Sequence, residues 1–376
     1  MNEDLLREAA DRWGTPLYVM DLDAASARAR QWQRALPGAL IAFAVKANPD
    51  PALLRRLADD GIGFEVVGPV ELALALRAGA SPERIVVNGV GQTDGDLRDA
   101  LASGALVNAE SLGALDVLLA AGPGRIGVRL NPALQADTHP HLATGSSGSK
   151  FGIALDELPE ATDRARGAGH TITSIGGHIG SDIGDLEPFA QLAALLGRTA
   201  AGLGVERIDL GGGFAGDPAA FAEAVRPHVT GVAGLIVEPG RGIVAGAGWL
   251  LTRVVRVQAR GHLVADAGMT ELLRPMLYSA RHPVSLLQPG ASVRDGPWTL
   301  AGPICEAGDL LAENLELGAG CGEGALLAIG EAGAYGLAMA SNYNGRLRPA
   351  QAVIEDGAVR LSRRRESIED LVARDV

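Results

Sequence analysis

Only two of the chain's 33 basic residues are lysines, Lys46 and Lys150; all others are arginines. Arginine serves well on a solvated surface but cannot act as a nucleophilic amine, because its guanidinium stays protonated. Lys46 closes the apolar run IAFAVK, which places an amine at the end of a strand-like segment. An amine in such a place is suited to condensing with a carbonyl group. Two further segments carry chemistry of a different kind, GGGF (Gly211–Phe214) and EPGR (Glu238–Arg241). Successive glycines let backbone N–H groups close on an anion.

These residues need a scaffold, and the chain spells one out. Eight short β-prone runs begin near Ile41, Gly63, Ile85, Ala105, Ile126, Ile172, Arg207 and Leu235, with helical apolar spacing between them. Gly61, Gly79, Gly104, Gly122, Gly169 and Gly204 read as helix stops; Asp50-Pro51 and Asp217-Pro218 read as starts. Eight successive β-then-α units predict a (β/α)8 TIM barrel. The rival, an open doubly wound sheet, usually has fewer strands, and no GxGxxG follows the first strand here. After about Gly248 the rhythm changes to strand-like segments with glycine- and proline-rich turns, predicting a β-rich C-terminal domain. The expected division is an N-terminal segment (1–24) that joins the β-domain, a barrel (25–247) and the β-rich domain (248–376).

Barrel sites form at the C-terminal ends of the strands, and phosphate sites commonly at the loops after strands seven and eight. The strand ends here carry Lys46, Glu65, Asn88, Glu110, Ser111, Asn131, His178 and Ser181, with GGGF after strand seven and EPGR after strand eight. A strand-end lysine facing a glycine cradle suits a phosphorylated cofactor with a carbonyl carbon, namely pyridoxal 5′-phosphate.

The ordered motifs FAVKAN (Phe43–Asn48), NAES (Asn108–Ser111), RLNP (Arg129–Pro132), TGSSGSKFGI (Thr144–Ile153), HIGS (His178–Ser181), GGGF and EPGR are followed by RPMLY (Arg274–Tyr278), CEAGD (Cys305–Asp309), GAYG (Gly333–Gly336) and SNYN (Ser341–Asn344). In this order the chain resembles the fold-type III pyridoxal-phosphate decarboxylases, most of all the diaminopimelate decarboxylases. The resemblance implies an alanine racemase-like barrel and assigns roles. Lys46 would hold the cofactor, His178 stack on its ring, and Glu238 pair with the pyridine nitrogen. Ser181, Gly211, Gly212, Gly213 and Tyr335 would hold the phosphate, with Arg241 nearby or on a substrate carboxylate. Cys305 would return a proton after carbon dioxide departs. Arg274 and Tyr278 match positions that take a distal carboxylate, and Glu306 one that meets a distal amine, so the implied reaction is meso-diaminopimelate to L-lysine. Because CEAGD is supplied by the partner subunit in this family, a homodimer with shared sites is implied.

Several positions depart from that pattern. Glu65 stands where aspartate is usual, Gly68-Pro69-Val70 replaces a serine- and glycine-containing turn, Gln92 a lysine, and Gly176 the first histidine of HxHIGS. These leave open a relative acting on another amino acid, for example a siderophore or antibiotic precursor or a carrier-bound one. An amino-acid racemase and a non-catalytic binding homologue are the remaining alternatives. Intact Lys46, Glu238 and Cys305 argue against the latter.

The overall composition narrows the field. With 47% hydrophobic residues, 21% charged residues and a formal net charge of −12, the chain has the character of a globular acidic protein, disfavouring nucleic acid as a partner. No apolar run is long enough to predict a membrane span. The start, MNEDLLREAADRW, has neither a basic nor an apolar leader region, and there are two cysteines, Cys305 and Cys321. A reducing cytoplasm is therefore expected. No metal is expected: His139 and His141 have no third ligand at zinc spacing. Lys150 reads as a loop-ordering residue, Cys321 as an ordinary thiol and Arg363–Arg365 as a solvated face.

Overall fold

Element boundaries follow local chemistry closely. Asp50 caps the helix Pro51–Asp59 by accepting from the Ala52 and Leu53 N–H groups, and Asp217 caps Pro218–Val225 through Ala219. Proline in the first turn sacrifices no intrahelical hydrogen bond. The six glycines that read as helix stops all have positive φ, from 69° at Gly204 to 105° at Gly122. A computed structural model describes residues 2–134, 144–145, 148–291, 296–318 and 320–376. The chain divides into two units, Ser26–Ile243 and Met1–Ala25 with Val244–Val376.

The strands in chain order are β1 (Leu17–Asp21), β2 (Leu40–Ala44), β3 (Gly63–Val66), β4 (Ile85–Val87), β5 (Leu106–Ala109), β6 (Arg125–Asn131), β7 (Ile153–Ala154), β8 (Ser174–Gly176), β9 (Arg207–Asp209) and β10 (Gly234–Val237). They continue with β11 (Gly248–Gln258), β12 (His262–Ala265), β13 (Val284–Gln288), β14 (Trp298–Ala301), β15 (Leu310–Leu315), β16 (Leu326–Ile329), β17 (Ala350–Glu355) and β18 (Ala358–Arg363).

In Ser26–Ile243 the ring runs β5-β4-β3-β2-β10-β9-β8-β6, every pair parallel, and β5 pairs with β6 to close it. This is the expected (β/α)8 barrel, and the closing pair excludes the open sheet. One short strand was not expected: β7 adds to β6 outside the ring. Ala42, Val86, Leu106 and Ile236 form an apolar plug inside the barrel. Side chains two residues apart on a strand share a face. Stepping two residues toward the strand ends therefore turns Val86 into Asn88, Leu106 into Asn108 and Ile236 into Glu238, so the plug is the floor of a polar layer.

In the other unit β1 lies between β11, antiparallel, and β17, parallel. The full order is β15-β14-β12-β11-β1-β17-β18, with β16 on β11 and β13 on β16. The N-terminal helix Glu3–Trp13 packs Leu6, Ala9 and Ala10 into one core, together with Leu17, Val19 and Ala352. A second core gathers Tyr18, Leu250, Trp298, Leu300 and Cys321. Adjacent residues of β1 thus serve opposite faces of the sheet. The sequence reading missed β13, β15 and the first helix.

Candidate active site

The barrel mouth is a cavity of about 230 Å³ whose lining includes Lys46, Glu65, Asn88, Asn108, Arg129, His178, Asp209, Gly211 and Glu238. Lys46 lies just past β2 in a single 3₁₀ turn, Val45–Ala47. Its amine is paired with the Glu65 carboxylate, which is 1% exposed. Asn88, just past β4, donates to Glu238 Oε1 at 2.7 Å and reaches Glu65 Oε1 at 3.4 Å. Its own Oδ1 accepts from Asn108 Nδ2 at 2.9 Å. Glu110 takes a separate partner, Arg129, at 3.0 Å, and accepts the Gly89 N–H at 2.8 Å.

Asp209 and Glu238 are buried side by side and share a side-chain hydrogen bond. Burial, then the negative charges of Asp209 and Glu65, hold the Glu238 carboxyl well above its usual range. Burial likewise pushes Asp209 up to about 6, even though the Glu238 hydrogen bond and the Gly211 N–H oppose the shift. Burial and their mutual repulsion therefore favour one proton shared between the two carboxyls in the cofactor-free protein. His178 is held neutral: burial first, then the Arg129 and Lys46 charges, push its ring well below the ordinary histidine range. Its Nδ1 accepts the Gly212 N–H at 3.1 Å, which puts the ring proton on Nε2.

The glycine loop leaves no room for side chains. Gly211 and Gly213 have φ of 65° and 109°. A Cβ on Gly213 would lie 2.1 Å from the Gly180 carbonyl oxygen, and one on Gly212 would lie 2.2 Å from that of Glu238. The loops after β8 and β9 are joined by the Ile183 N–H donating to the Gly213 carbonyl at 3.2 Å. Behind the loop, Phe214 is anchored among Trp32, Phe189 and Phe221, with ring centroids 5.6 to 6.5 Å from its own. Arg28 clamps two loops together by donating to the carbonyls of Gly242 at 2.9 Å and Ala215 at 3.3 Å. Arg241 lies 3.6 Å from Asp182, beside Ser181.

This donor set fits pyridoxal phosphate on three counts. Close-approach glycines expose backbone around an anion site. The neutral, flat His178 ring suits stacking on an aromatic cofactor. Glu65, Asp209 and Glu238 outnumber the single lysine among them, so a protonated pyridine nitrogen brings a charge this pocket accepts.

The barrel thus brings together Lys46, His178, Gly211, Gly212, Gly213 and Glu238, with Ser181 in an adjoining loop and Arg241 opening the short helix Arg241–Val244. Ser111 instead caps the helix Leu112–Ala120, and Asn131 bonds Ser149. Lys150 sits 5.3 Å over the Phe151 ring. His139 and His141 lie outside the described residues. Among the described residues no three side chains are grouped to hold a metal. Sequence reasoning overlooked Asn108, Arg129 and Asp209 as site residues. The available signal was a polar residue on the inward register of a strand, inside or beside a motif already noticed.

The remaining candidates belong to the β-rich unit. Arg274 is 3% exposed and opens the helix Arg274–Tyr278, its guanidinium 5.5 Å over the Tyr278 ring. Cys305 and Glu306 are exposed at the tip of a loop. Buried Asp309 shapes that loop by accepting the N–H groups of Met269 at 2.5 Å and Ile304 at 2.7 Å. Tyr335 has φ 56°, a strained backbone for a tyrosine.

A closed barrel carrying a strand-end amine, a close-packed glycine loop and a buried acid pair has the make-up of an enzyme that works with a phosphorylated cofactor. Comparison with known proteins agrees. The family model for the pyridoxal-binding domain of pyridoxal-dependent decarboxylases matches residues 22–245. Diaminopimelate decarboxylase of Deinococcus radiodurans is 41% identical, with all of both chains covered. That of Pseudomonas aeruginosa is 40% identical over 98% of this chain and 94% of the relative. The crystal structure of Helicobacter pylori diaminopimelate decarboxylase complexed with L-lysine superimposes with a TM-score of 0.92, at 32% identity and 98% coverage of both chains. The chain belongs to the pyridoxal-dependent decarboxylases; it is a carboxy-lyase that uses pyridoxal phosphate. No helix among the described residues is long and apolar enough to cross a membrane.

Proposed function

We propose that this enzyme decarboxylates meso-diaminopimelate to L-lysine in the cytoplasm, as a homodimer with shared sites. The carrying observation is the barrel-mouth constellation in which Lys46 pairs with Glu65 while Glu238 is held between Asn88 and Asp209. Similarity to diaminopimelate decarboxylases supports the substrate.

When bound, pyridoxal phosphate supplies the sink for the electron pair left as carbon dioxide departs. Lys46 holds the cofactor, and Glu65 keeps the amine close when it is not engaged. His178 presents an uncharged face for stacking. Glu238 keeps the pyridine nitrogen protonated. Gly211, Gly212, Gly213, Ser181 and Tyr335 receive the phosphate, with Arg241 beside it or on a substrate carboxylate. Arg274 and Tyr278 hold the distal carboxylate, and Glu306 meets the distal amine by charge pairing. Cys305 returns a proton to the substrate carbon.

Carbon dioxide release should be measured across meso-diaminopimelate, lysine, ornithine, arginine and carrier-bound amino acids. Strong preference for meso-diaminopimelate is expected; activity confined to another amino acid would replace the substrate and keep the reaction class. The shared site is tested by mixing inactive Lys46→Ala with inactive Glu306→Ala protein. After subunit exchange, about half the dimers should carry one intact site, by two-fold symmetry. Confirmed exchange without recovered activity would reject sharing.

A further inference from the structure

We propose that Asn88 is a positioning residue for this reaction, a carboxamide bridge that holds the counter-ion of the cofactor's ring (Glu238) and the counter-ion of the lysine (Glu65) in one frame, with Asn108 fixing its direction. The inference rests on the pyridoxal-dependent reading of the site. Its basis is geometric. One Asn88 amide nitrogen lies 2.7 Å from Glu238 Oε1 and 3.4 Å from Glu65 Oε1. Carboxylates only accept hydrogen bonds, so the NH₂ end of Asn88 must face them and its oxygen must face away. That oxygen receives Asn108 Nδ2 at 2.9 Å. Asn108 has room for its carboxamide because its register partner on β6 is Gly127, where a Cβ would lie 2.0 Å from Asn108 Oδ1. Asn88 itself is held at its backbone, whose carbonyl accepts Gln92 Nε2 at 2.9 Å. The bridge is 7% exposed and its partner Asn108 3%, so both hydrogen bonds are largely screened from bulk solvent.

The charged and titratable groups facing this frame are Lys46 past β2, Glu65 on β3, Glu110 past β5, Arg129 on β6, His178 past β8, Asp209 on β9 and Glu238 past β10. Glu110 is occupied by Arg129, and His178 by the Gly212 N–H. Asn88 is therefore the neutral donor that favours ionised Glu238, the form that holds a protonated pyridine nitrogen. A donor to a carboxylate lowers its pKa, so losing it raises the pH below which Glu238 takes up a proton.

The test uses holoenzyme. The visible absorbance of the bound cofactor is titrated against pH, and the cofactor's dissociation constant is measured in the same variants. Asn88→Asp replaces the donor with a further acid. Asn108→Asp leaves Asn88 in place but offers its oxygen only an acceptor, so the Asn88 amide must turn and present oxygen to Glu238. Each should raise the midpoint of the acid limb by about one to two pH units, the scale of a hydrogen bond to a charged group. Each should also weaken cofactor binding at least tenfold. Asn88→Gln, which keeps the carboxamide donor, should bring the midpoint back to within about half a unit of wild type. Ser174→Ala, removing another buried polar group of the barrel, should leave it unmoved. Folded Asn88→Asp and Asn108→Asp holoenzymes with wild-type midpoints would overturn the proposal, as would a Ser174→Ala shift of equal size. If Asn88→Asp does not fold, Asn108→Asp and Asn88→Gln decide. A wild type that binds cofactor on Lys46 yet releases no carbon dioxide would refute the decarboxylase reading and leave this titration standing.

Discussion

Replacing Asp209 by asparagine should make the cofactor-free protein more stable, and the gain should depend on pH. Asp209 is buried, and burial raises it from 3.8 to about 6. An acid whose folded pKa lies above its unfolded value binds more protons folded than unfolded across that interval, so stability falls as pH rises from about 4 to about 6 and stays low above it. A shift of roughly two units at about 1.4 kcal/mol each gives a penalty of about 3 kcal/mol at pH 8. Asparagine mimics the protonated acid at every pH, and its oxygen can still accept the Gly211 N–H that Asp209 Oδ1 takes at 2.8 Å. The variant should therefore exceed wild type by about 3 kcal/mol at pH 8 and by about half that at pH 5, converging below pH 4. For a barrel of this length that corresponds to a Tm gain of about 6–12 °C at pH 8. Thermal unfolding of cofactor-free wild type and Asp209→Asn between pH 4 and 8 measures it. A variant no more stable at pH 8, or one whose advantage is the same at pH 4.5, would refute the assignment of a raised, destabilising acid at this position.

Borohydride reduction of the holoenzyme, followed by digestion, should place the pyridoxyl group on Lys46; finding it on Lys150 would overturn the site. Arg274→Ala should lower kcat/KM for meso-diaminopimelate at least tens-fold, since losing one partner of a buried charged contact costs about 2–5 kcal/mol, with less effect on lysine-like analogues. Cys305→Ala should lower kcat and divert protonation to the cofactor, so that pyridoxamine phosphate accumulates during turnover. An unchanged ratio of amine to pyridoxamine phosphate would reject Cys305 as the acid.

The barrel was legible because each unit announces itself locally. Asp-Pro pairs start helices, glycines at positive φ end them, and apolar runs of strand length recur between. Lys46 was legible for a compositional reason, as an amine kept where arginine is otherwise used. The β-rich half was harder. Val284–Gln288 is only partly buried, and Leu310–Leu315 carries Glu313 and Asn314 in its length, so neither shows the period-two apolar pattern that marks a strand from sequence.

What sequence could not supply was adjacency between strands. Asp209 and Glu238 are 29 positions apart, and nothing local says that they meet. They do so because β9 and β10 pair in register, Asp209 opposite Ile236, which brings the residue two past Ile236 beside the Asp209 side chain. The same logic joins Asn88 to Glu238 across the closed ring, where β4 and β10 are not neighbours. A closed parallel barrel converts strand-end residues from distant parts of the chain into one ring of contacts, so residue types can be read one strand at a time while their pairings cannot. The pairings also carry the chemistry. Asp209 next to Glu238 is a destabilising arrangement in the cofactor-free protein, because two buried acids share one proton. The energetic cost lies in the polar layer above Ala42, Val86, Leu106 and Ile236, and the apolar plug and the Trp32–Phe189–Phe214–Phe221 cluster offset it from below and behind. Truncating a plug residue should therefore destabilise the barrel without shifting the acid titration, whereas changing Asp209 or Asn88 should shift the titration.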